Sequence, residues 1–161
     1  MPAIADIIIK RPPSEVWAII ANASSHPHWL SKDITTTYQG GGELAEGLKF
    51  TRFNKETGVR TEGQVVALKA AHFLKVRFDA PQEAFATTEY HLIAVAEGCA
   101  VRVLGEVYDS TDAHYYYFPE MMEQQWRGQL ERLKRYCEAV SKGRALWRVP
   151  SRLLRRARRG G

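Results

Sequence analysis

The sequence predicts an α+β fold in which a curved, seven-stranded antiparallel sheet wraps around a long C-terminal helix. The first observation is a long segment, residues 115–140, whose apolar residues recur with the period of a helix. The second is a series of short β-branched and aromatic segments that fills most of the chain before it. The third is a pair of short helical segments between the first and second strands. A helix with a wide apolar stripe must bury it, and a bent sheet with one apolar face is the simplest partner.

Two prolines mark the end of the first strand and the start of a helix. Residues 3–9 form a β-branched run that suits a strand, and the following Pro12-Pro13 ends it because proline cannot donate to a ladder. Proline is tolerated in a first helical turn, so a helix is predicted to begin at Pro12 or Pro13. Its buried side is predicted to contain Val16, Trp17, Ile19 and Ile20. A second helical turn, residues 28–30, places Trp29 against the core.

The remaining six strands are separated by short polar or glycine-bearing links. They are predicted at residues 33–38, 48–53, 61–68, 73–78, 86–95 and 100–108. The three glycines at 40–42 mark a turn after the first of these, since neither a helix nor a strand tolerates such a run. In the last pair, alternation places Thr88, Tyr90 and Leu92 on one face of their strand. In the next strand, the side predicted to face the long helix contains Val101, Val103 and Val107.

The long helix has one apolar and one polar side. At about 100° per residue the apolar side contains Phe118, Met122, Trp126, Leu130, Leu133, Cys137 and Val140. The opposite side contains Glu120, Gln124, Arg127, Glu131, Lys134, Arg135 and Glu138. We therefore expect the sheet to cover the first side and solvent to meet the second.

The charge of the chain is unevenly distributed. The 161 residues have a net charge of +5, but residues 143–161 contain seven arginines and no acidic residue. The sequence therefore predicts one mildly acidic domain, residues 1–142, and a basic, arginine-rich tail, residues 143–161. The tail is either a solvated extension or a segment that binds an anionic membrane surface or nucleic-acid phosphates.

Several classes of protein are disfavoured by the sequence. No apolar run approaches the roughly 20 residues of a membrane span, and the N-terminus lacks a signal-peptide pattern, so a cytoplasmic location is predicted. Cys99 and Cys137 have no metal-ligand spacing and are predicted to be buried free thiols. The five histidines, at positions 26, 28, 72, 91 and 114, show no spacing diagnostic of zinc. We predict neither a metal nor a cofactor, because no nucleotide-binding loop is present either.

The order of elements resembles a known superfamily. The "PPSEVWAII" helix, the "HPHWL" segment, the strands and a closing "EQQWRGQLERLKRY" helix resemble the START-like helix-grip (SRPBCC) superfamily over residues 3–140. The most similar branch includes polyketide cyclase-like proteins and homologues of the Hsp90 ATPase activator. The resemblance implies a helix-grip fold, whose members bind lipids, hormones or polyketides, or catalyse cyclisation and dehydration. Fold alone does not choose among these functions.

A pocket between the sheet and the helix follows from this resemblance. Its expected apolar lining is Trp29, Phe50, Val76, Phe78, Tyr90, Val103, Phe118, Met122 and Trp126. Each of these residues is equally compatible with ordinary core packing. Gln129 lies inside the apolar arc of the helix and Gln125 lies at its edge, so each amide is a candidate ligand contact. The first functional hypothesis is binding of a small hydrophobic or aromatic ligand, such as a lipid or a polyketide-like molecule.

Two other functions remain open at this point. A cyclase or dehydratase would need proton donors and acceptors, for which the candidates are Tyr90, Tyr116 and His114 with Glu89 or Asp109. Strand alternation weakens the pairing of Tyr90 with Glu89, because neighbouring residues of a strand point to opposite faces. No catalytic residue is assigned. The remaining alternative is an interaction protein that associates with a chaperone or, through its tail, with a membrane.

Overall fold

A computed structural model of the chain describes residues 3–78, 85–107 and 119–143. The strands are β1 (Ala3–Ile9), β2 (Ile34–Tyr38), β3 (Lys49–Asn54), β4 (Arg60–Lys69), β5 (Phe73–Phe78), β6 (Phe85–Val95) and β7 (Gly98–Val107). The helices are α1 (Pro13–Ala21), α2 (His26–Trp29) and α3 (Pro119–Gly143). Short 3₁₀ turns at Ala23–Ser25 and Gln39–Gly41 follow α1 and β2.

The strands form one antiparallel sheet in the order β1-β7-β6-β5-β4-β3-β2. The two strands that flank the short helices in sequence, β1 and β2, therefore lie at opposite edges of the sheet. A register shift between Val65 and Ala67 introduces an irregularity into β4 where it pairs with β5. Such bulges increase the local twist and bend a strand, which helps a sheet to curve around a helix. The α+β fold predicted from the sequence is confirmed.

Most predicted boundaries agree with the structure to within two residues. Strand β5 has the predicted limits, and α2 begins at His26 rather than at residue 28. Pro27 does not delay α2, because the first turn of a helix does not need the missing N–H. Residues 115–118 of the predicted long helix lie outside the described residues, as do residues 144–161 of the predicted tail.

The core lies between the concave face of the sheet and the apolar side of α3. Helix α3 buries Trp126, Leu130, Leu133, Cys137 and Val140, as the helical wheel predicts. Val101 and Val103 of β7 are buried in the same core. Cys99 and Cys137 are buried free thiols, as predicted, and burial raises the pKa of Cys137 to about 12. The cysteine on α3 is therefore a packing group rather than a reactive thiolate.

Polar side chains of α3 seal the β1 edge of the sheet. The Glu123 carboxylate accepts a hydrogen bond from the backbone N–H of Ile4 at 3.1 Å, and Lys134 Nζ donates to the carbonyl of Ile8 at 3.0 Å. Glu138 accepts from the backbone N–H of Lys10 at 3.0 Å and from Lys134 at 2.9 Å. The hydrogen bond from the Lys10 backbone has the largest effect on the pKa of Glu138. This bond and the one from Lys134 lower that pKa. An exposed strand edge would otherwise present unpaired backbone groups, so these contacts both protect β1 and fix the position of α3.

Candidate functional site

Two adjoining cavities lie between the sheet and the helices. The larger, which we call the helix–sheet cavity, has a volume of about 420 Å³. It is lined by Leu30, Ser31, Ile34, Arg52, Asn54, Thr57, Val59, Thr61, Gln125 and Gln129. The smaller, the inner cavity, has a volume of about 30 Å³ and is lined by Ile20, His26, Trp29, Leu30, Thr36, Tyr38, Leu44, Phe50, Arg52, Leu74, Val76 and Tyr90. The first is large enough for a small organic molecule, whereas the second has room for about one water.

The predicted lining residues fall into separate groups. Gln125 and Gln129 line the helix–sheet cavity. Trp29, Phe50, Val76 and Tyr90 line the inner cavity. Phe78, Val103 and Trp126 pack in the hydrophobic core and line neither cavity. The side chains of Phe118 and Met122 lie outside the described part of the chain.

The wall of the helix–sheet cavity is more polar than the sequence pattern suggests. Its apolar residues are Leu30, Ile34 and Val59, whereas the others carry hydroxyl, amide or guanidinium groups. The polar groups come from β3, β4 and α3, from the turn between β3 and β4 and from the segment between α2 and β2, so no single segment displays them together. A ligand in this cavity would meet several hydrogen-bonding groups as well as apolar surface.

Of the ten lining residues, the sequence predicted only Gln125 and Gln129, and the charged residue that it missed is Arg52. It lies on β3, two residues after the buried Phe50, so strand alternation directs it to the concave face of the sheet. Its guanidinium carbon is 5.7 Å from the centroid of the Phe50 ring and 5.2 Å from that of Phe78. The two rings meet edge to face at 6.0 Å. Arg52 lines both cavities. Its guanidinium, which lies over two aromatic rings, is therefore at the point where the two cavities meet.

His26 is a structural histidine held in its neutral form. Its Nε2 lies 3.0 Å from the carbonyl oxygen of Ile20, which can only accept, so Nε2 carries the proton. Its Nδ1 then accepts from the Thr36 hydroxyl at 2.7 Å. Burial and, to a smaller extent, the charge of Arg52 lower the pKa of His26 to about 4, although the Ile20 hydrogen bond opposes this shift. Both ring nitrogens form hydrogen bonds, so His26 stabilises the connection between α1 and β2 and is not available to bind a metal.

The depressed pKa predicts that the domain loses stability in mild acid. The unfolded chain takes up the proton near the ordinary value of 6.5, whereas the folded chain resists protonation until about pH 4. Stability from His26 is therefore fully present above pH 6.5 and falls by about 3 kcal/mol as the pH drops to 4. Urea denaturation between pH 7 and pH 4 measures this slope. In the His26→Gln variant, stability should fall less between pH 7 and pH 4. The His28→Gln variant, which changes an exposed histidine, should lose as much stability as the wild type. Equal slopes in the wild type and both variants would contradict the assignment.

The candidate acid–base residues are not brought together by the described structure. Tyr90 is buried on the concave face, with its ring 6.0 Å from that of Trp29. Glu89 points to the opposite face, where it lies 3.6 Å from Lys75 Nζ and 3.0 Å from His91 Nε2. His114, Tyr116 and Asp109 lie outside the described residues. Tyr90 and Glu89 therefore do not form a proton-transfer pair.

The sheet, the gripped helix and the cavity between them define a helix-grip domain. The chain belongs to the family described as polyketide cyclase / dehydrase and lipid transport, whose model matches residues 5–138. The resemblance to the START-like superfamily is thereby confirmed. A search of curated proteins found no match to the sequence.

Solved structures share this fold at low sequence identity. Protein MLL2253 from Mesorhizobium loti aligns with a TM-score of 0.69 and 15% identity, covering 86% of this chain and 98% of its own. The AHSA1-like protein from Aeromonas hydrophila aligns with a TM-score of 0.65 and 19% identity, covering 88% and 94%. DynU16, from the dynemicin biosynthetic locus, aligns with a TM-score of 0.64 and 14% identity, covering 85% of this chain and 47% of its own. At these identities the comparison shows the fold alone.

Two features are absent from the part of the chain that the structure describes. None of their helices is long and apolar enough to cross a membrane. Within residues 3–78, 85–107 and 119–143, no three histidine, cysteine or acidic side chains gather as a metal site would require.

Proposed function

We propose that this domain binds a small hydrophobic or aromatic ligand, lipid-like or polyketide-like, in the helix–sheet cavity. The observation that supports this most directly is the cavity itself, about 420 Å³ between α3 and strands β2, β3 and β4. Its volume falls within the range of roughly 300–1,000 Å³ typical of small-molecule sites. The family description, which names polyketide cyclases and lipid transport, agrees with a ligand of this class.

The two glutamines of α3 suit a binding role. Gln125 is exposed and Gln129 is half-buried, and both lie in the cavity wall opposite residues of β3 and β4. Neither amide forms a hydrogen bond with another described residue. A partly buried amide without a protein partner is satisfied by water or by a ligand, and it can act as donor or acceptor. Gln129 would therefore help to orient a ligand that also contacts Leu30, Ile34 and Val59.

Filling the cavity should strongly weaken binding without unfolding the domain. The probe is N-phenyl-1-naphthylamine, a neutral diaryl amine whose fluorescence rises in apolar surroundings. Gln129→Trp places a large side chain in the cavity, so the probe's affinity should fall by at least about tenfold. Gln124→Trp changes the same kind of residue at an exposed position outside the cavity wall and should leave the affinity within about twofold.

Two results would contradict the proposed site. One is a wild-type domain that does not bind the probe, and the other is an equal effect of the two tryptophan substitutions. Far-UV circular dichroism and thermal unfolding of both variants show whether the domain remains folded, so that lost binding is not mistaken for lost structure.

A further inference from the structure

We infer that the ligand of the helix–sheet cavity carries a single negative charge, a carboxylate or a sulfonate, and that the Arg52 guanidinium binds it. The inference rests on the proposed function, because the anion would reach Arg52 through that cavity. The shape of the fold alone predicts neither the charge of the ligand nor the residue that binds this charge.

The first support is the way in which Arg52 is held. Its guanidinium lies against the faces of Phe50 and Phe78, at 5.7 Å and 5.2 Å from the ring centroids. Phe50 and Phe78 are themselves buried in the core. Two fixed rings restrict the rotamers of the arginine before any ligand arrives. A preorganised cation loses little conformational entropy on binding an anion.

The second support is that this charge has no counter-charge within the described part of the chain. Among the described residues, no carboxylate forms an ion pair with Arg52. Its Nε is buried and has no hydrogen-bond partner in residues 3–78, 85–107 and 119–143. Burying part of a guanidinium without a partner is unfavourable, and proteins usually avoid it by pairing the charge. An anion bound in the cavity would supply a counter-charge to the part of the guanidinium that lines the cavity wall.

Two titratable side chains that feel the charge of Arg52, His26 and Tyr38, are neutral and cannot compensate it. His26 presents a neutral imidazole, and its only acceptor nitrogen is already used by Thr36. Tyr38 donates its hydroxyl proton to the carbonyl of Ala21 at 2.7 Å. Burial raises the pKa of Tyr38 to about 12, although the charge of Arg52 opposes this shift, so its phenol also stays neutral. Neither side chain therefore supplies a negative charge to Arg52.

The cavity wall indicates a monoanion rather than a phosphate dianion. Arg52 is the only charged side chain among the described residues that line the helix–sheet cavity. One guanidinium offers a planar fork that matches one carboxylate or sulfonate, whereas a dianion would leave one charge uncompensated in a partly buried site. The rest of the wall offers neutral donors, such as Thr61 and Gln129, and apolar contacts from Leu30, Ile34 and Val59.

A matched pair of probes isolates the charge. 8-Anilinonaphthalene-1-sulfonate has the skeleton of N-phenyl-1-naphthylamine with one added sulfonate. Arg52→Met keeps an unbranched side chain against the two rings but removes the charge. We expect it to weaken the affinity for the sulfonate by about tenfold to a hundredfold, as for a lost charge-assisted hydrogen bond. The affinity for the neutral amine should stay within about twofold, because that probe makes no use of the charge.

Arg60→Met is the matched control. Arg60 also lies over a phenylalanine ring, with its guanidinium 5.5 Å from the Phe53 centroid, but it is exposed and lines neither cavity. It should not change the affinity for either probe. A second variant, Arg52→Lys, keeps the charge without the planar fork and should recover part of the sulfonate affinity.

The outcomes separate this inference from the proposed function. If the wild-type domain binds neither probe, both are wrong. If it binds both and Arg52→Met weakens them equally, or weakens neither, the cavity stands as the binding site and the role of Arg52 is overturned. Selective loss of the sulfonate in Arg52→Met, with Arg60→Met unchanged, supports both.

Discussion

Replacing Gly98 by alanine is expected to destabilise the domain by about 4 kcal/mol. Gly98 begins β7 directly after the two-residue turn that connects it to β6, with a backbone φ of +147°. Residues with a side chain rarely adopt this conformation, which costs about 1–3 kcal/mol. A Cβ atom at this position would also overlap backbone atoms of Ile9 and Arg11. Backbone cannot swing aside like the end of a flexible side chain, so the overlap adds a comparable cost.

Gly58→Ala is the control for the conformational part of this effect. Gly58 also has a positive φ, +74°, but an added Cβ would meet no atom within 4 Å. Its substitution should cost only about 1 kcal/mol, the usual penalty of a left-handed residue with a side chain. Urea denaturation of the two variants gives the difference directly. Equal losses would mean that the approach of Gly98 to the backbone of Ile9 and Arg11 has no energetic consequence.

Local patterns were sufficient to predict the elements of this fold. The limits of β5 follow from its β-branched and aromatic run between polar links, and the buried side of α3 follows from the period of its apolar residues. The wheel of α3 also assigns Lys134 and Glu138 to solvent, yet both bind the backbone of β1. That arrangement depends on which strand lies beside the helix, and a helical wheel contains no information about neighbours.

The polar part of the site was harder to predict for a related reason. The alternation of Phe50 and Arg52 within one strand was available in the sequence and would have placed the arginine on the concave face. Its contact with Phe78 was not available, because it depends on the registers of β3 with β4 and of β4 with β5. A pattern of apolar residues alone does not reveal a cation of this kind.

The two sides of α3 have different roles in this domain. On the side of β1, Glu123, Lys134 and Glu138 fix the helix to the sheet edge through backbone hydrogen bonds. On the side of β2, β3 and β4, a cavity separates helix and sheet. Arg132 borders this second side and donates to the carbonyls of Trp29 and Leu30 at 3.1 Å and 2.8 Å. Helix α3 is thus held at the β1 edge of the sheet and at α2. The cavity on the side of β2, β3 and β4 therefore does not loosen the attachment of the helix.

Trp29→Ala is expected to destabilise the domain by about 4 kcal/mol, within the range for large aromatic-to-alanine changes in a core. The Trp29 side chain is only 2% exposed. Its Nε1 donates to the Ser25 hydroxyl at 3.1 Å, and its ring meets those of His26 and Tyr90 edge to face at 5.5 Å and 6.0 Å. Truncation therefore removes buried apolar surface, two aromatic contacts and one hydrogen bond at once.

Trp17→Ala separates this core role from the general effect of losing a tryptophan. Trp17 is only partly buried, on α1, where it lines an open groove of about 790 Å³ between α1 and β2. Water can occupy the space that truncation leaves there, so the loss should be about 1–2 kcal/mol. Urea denaturation followed by far-UV circular dichroism compares the variants without relying on tryptophan fluorescence. A Trp29→Ala loss no larger than that of Trp17→Ala would show that Trp29 forms a replaceable wall of the inner cavity rather than the support on which His26, Ser25 and Tyr90 are arranged.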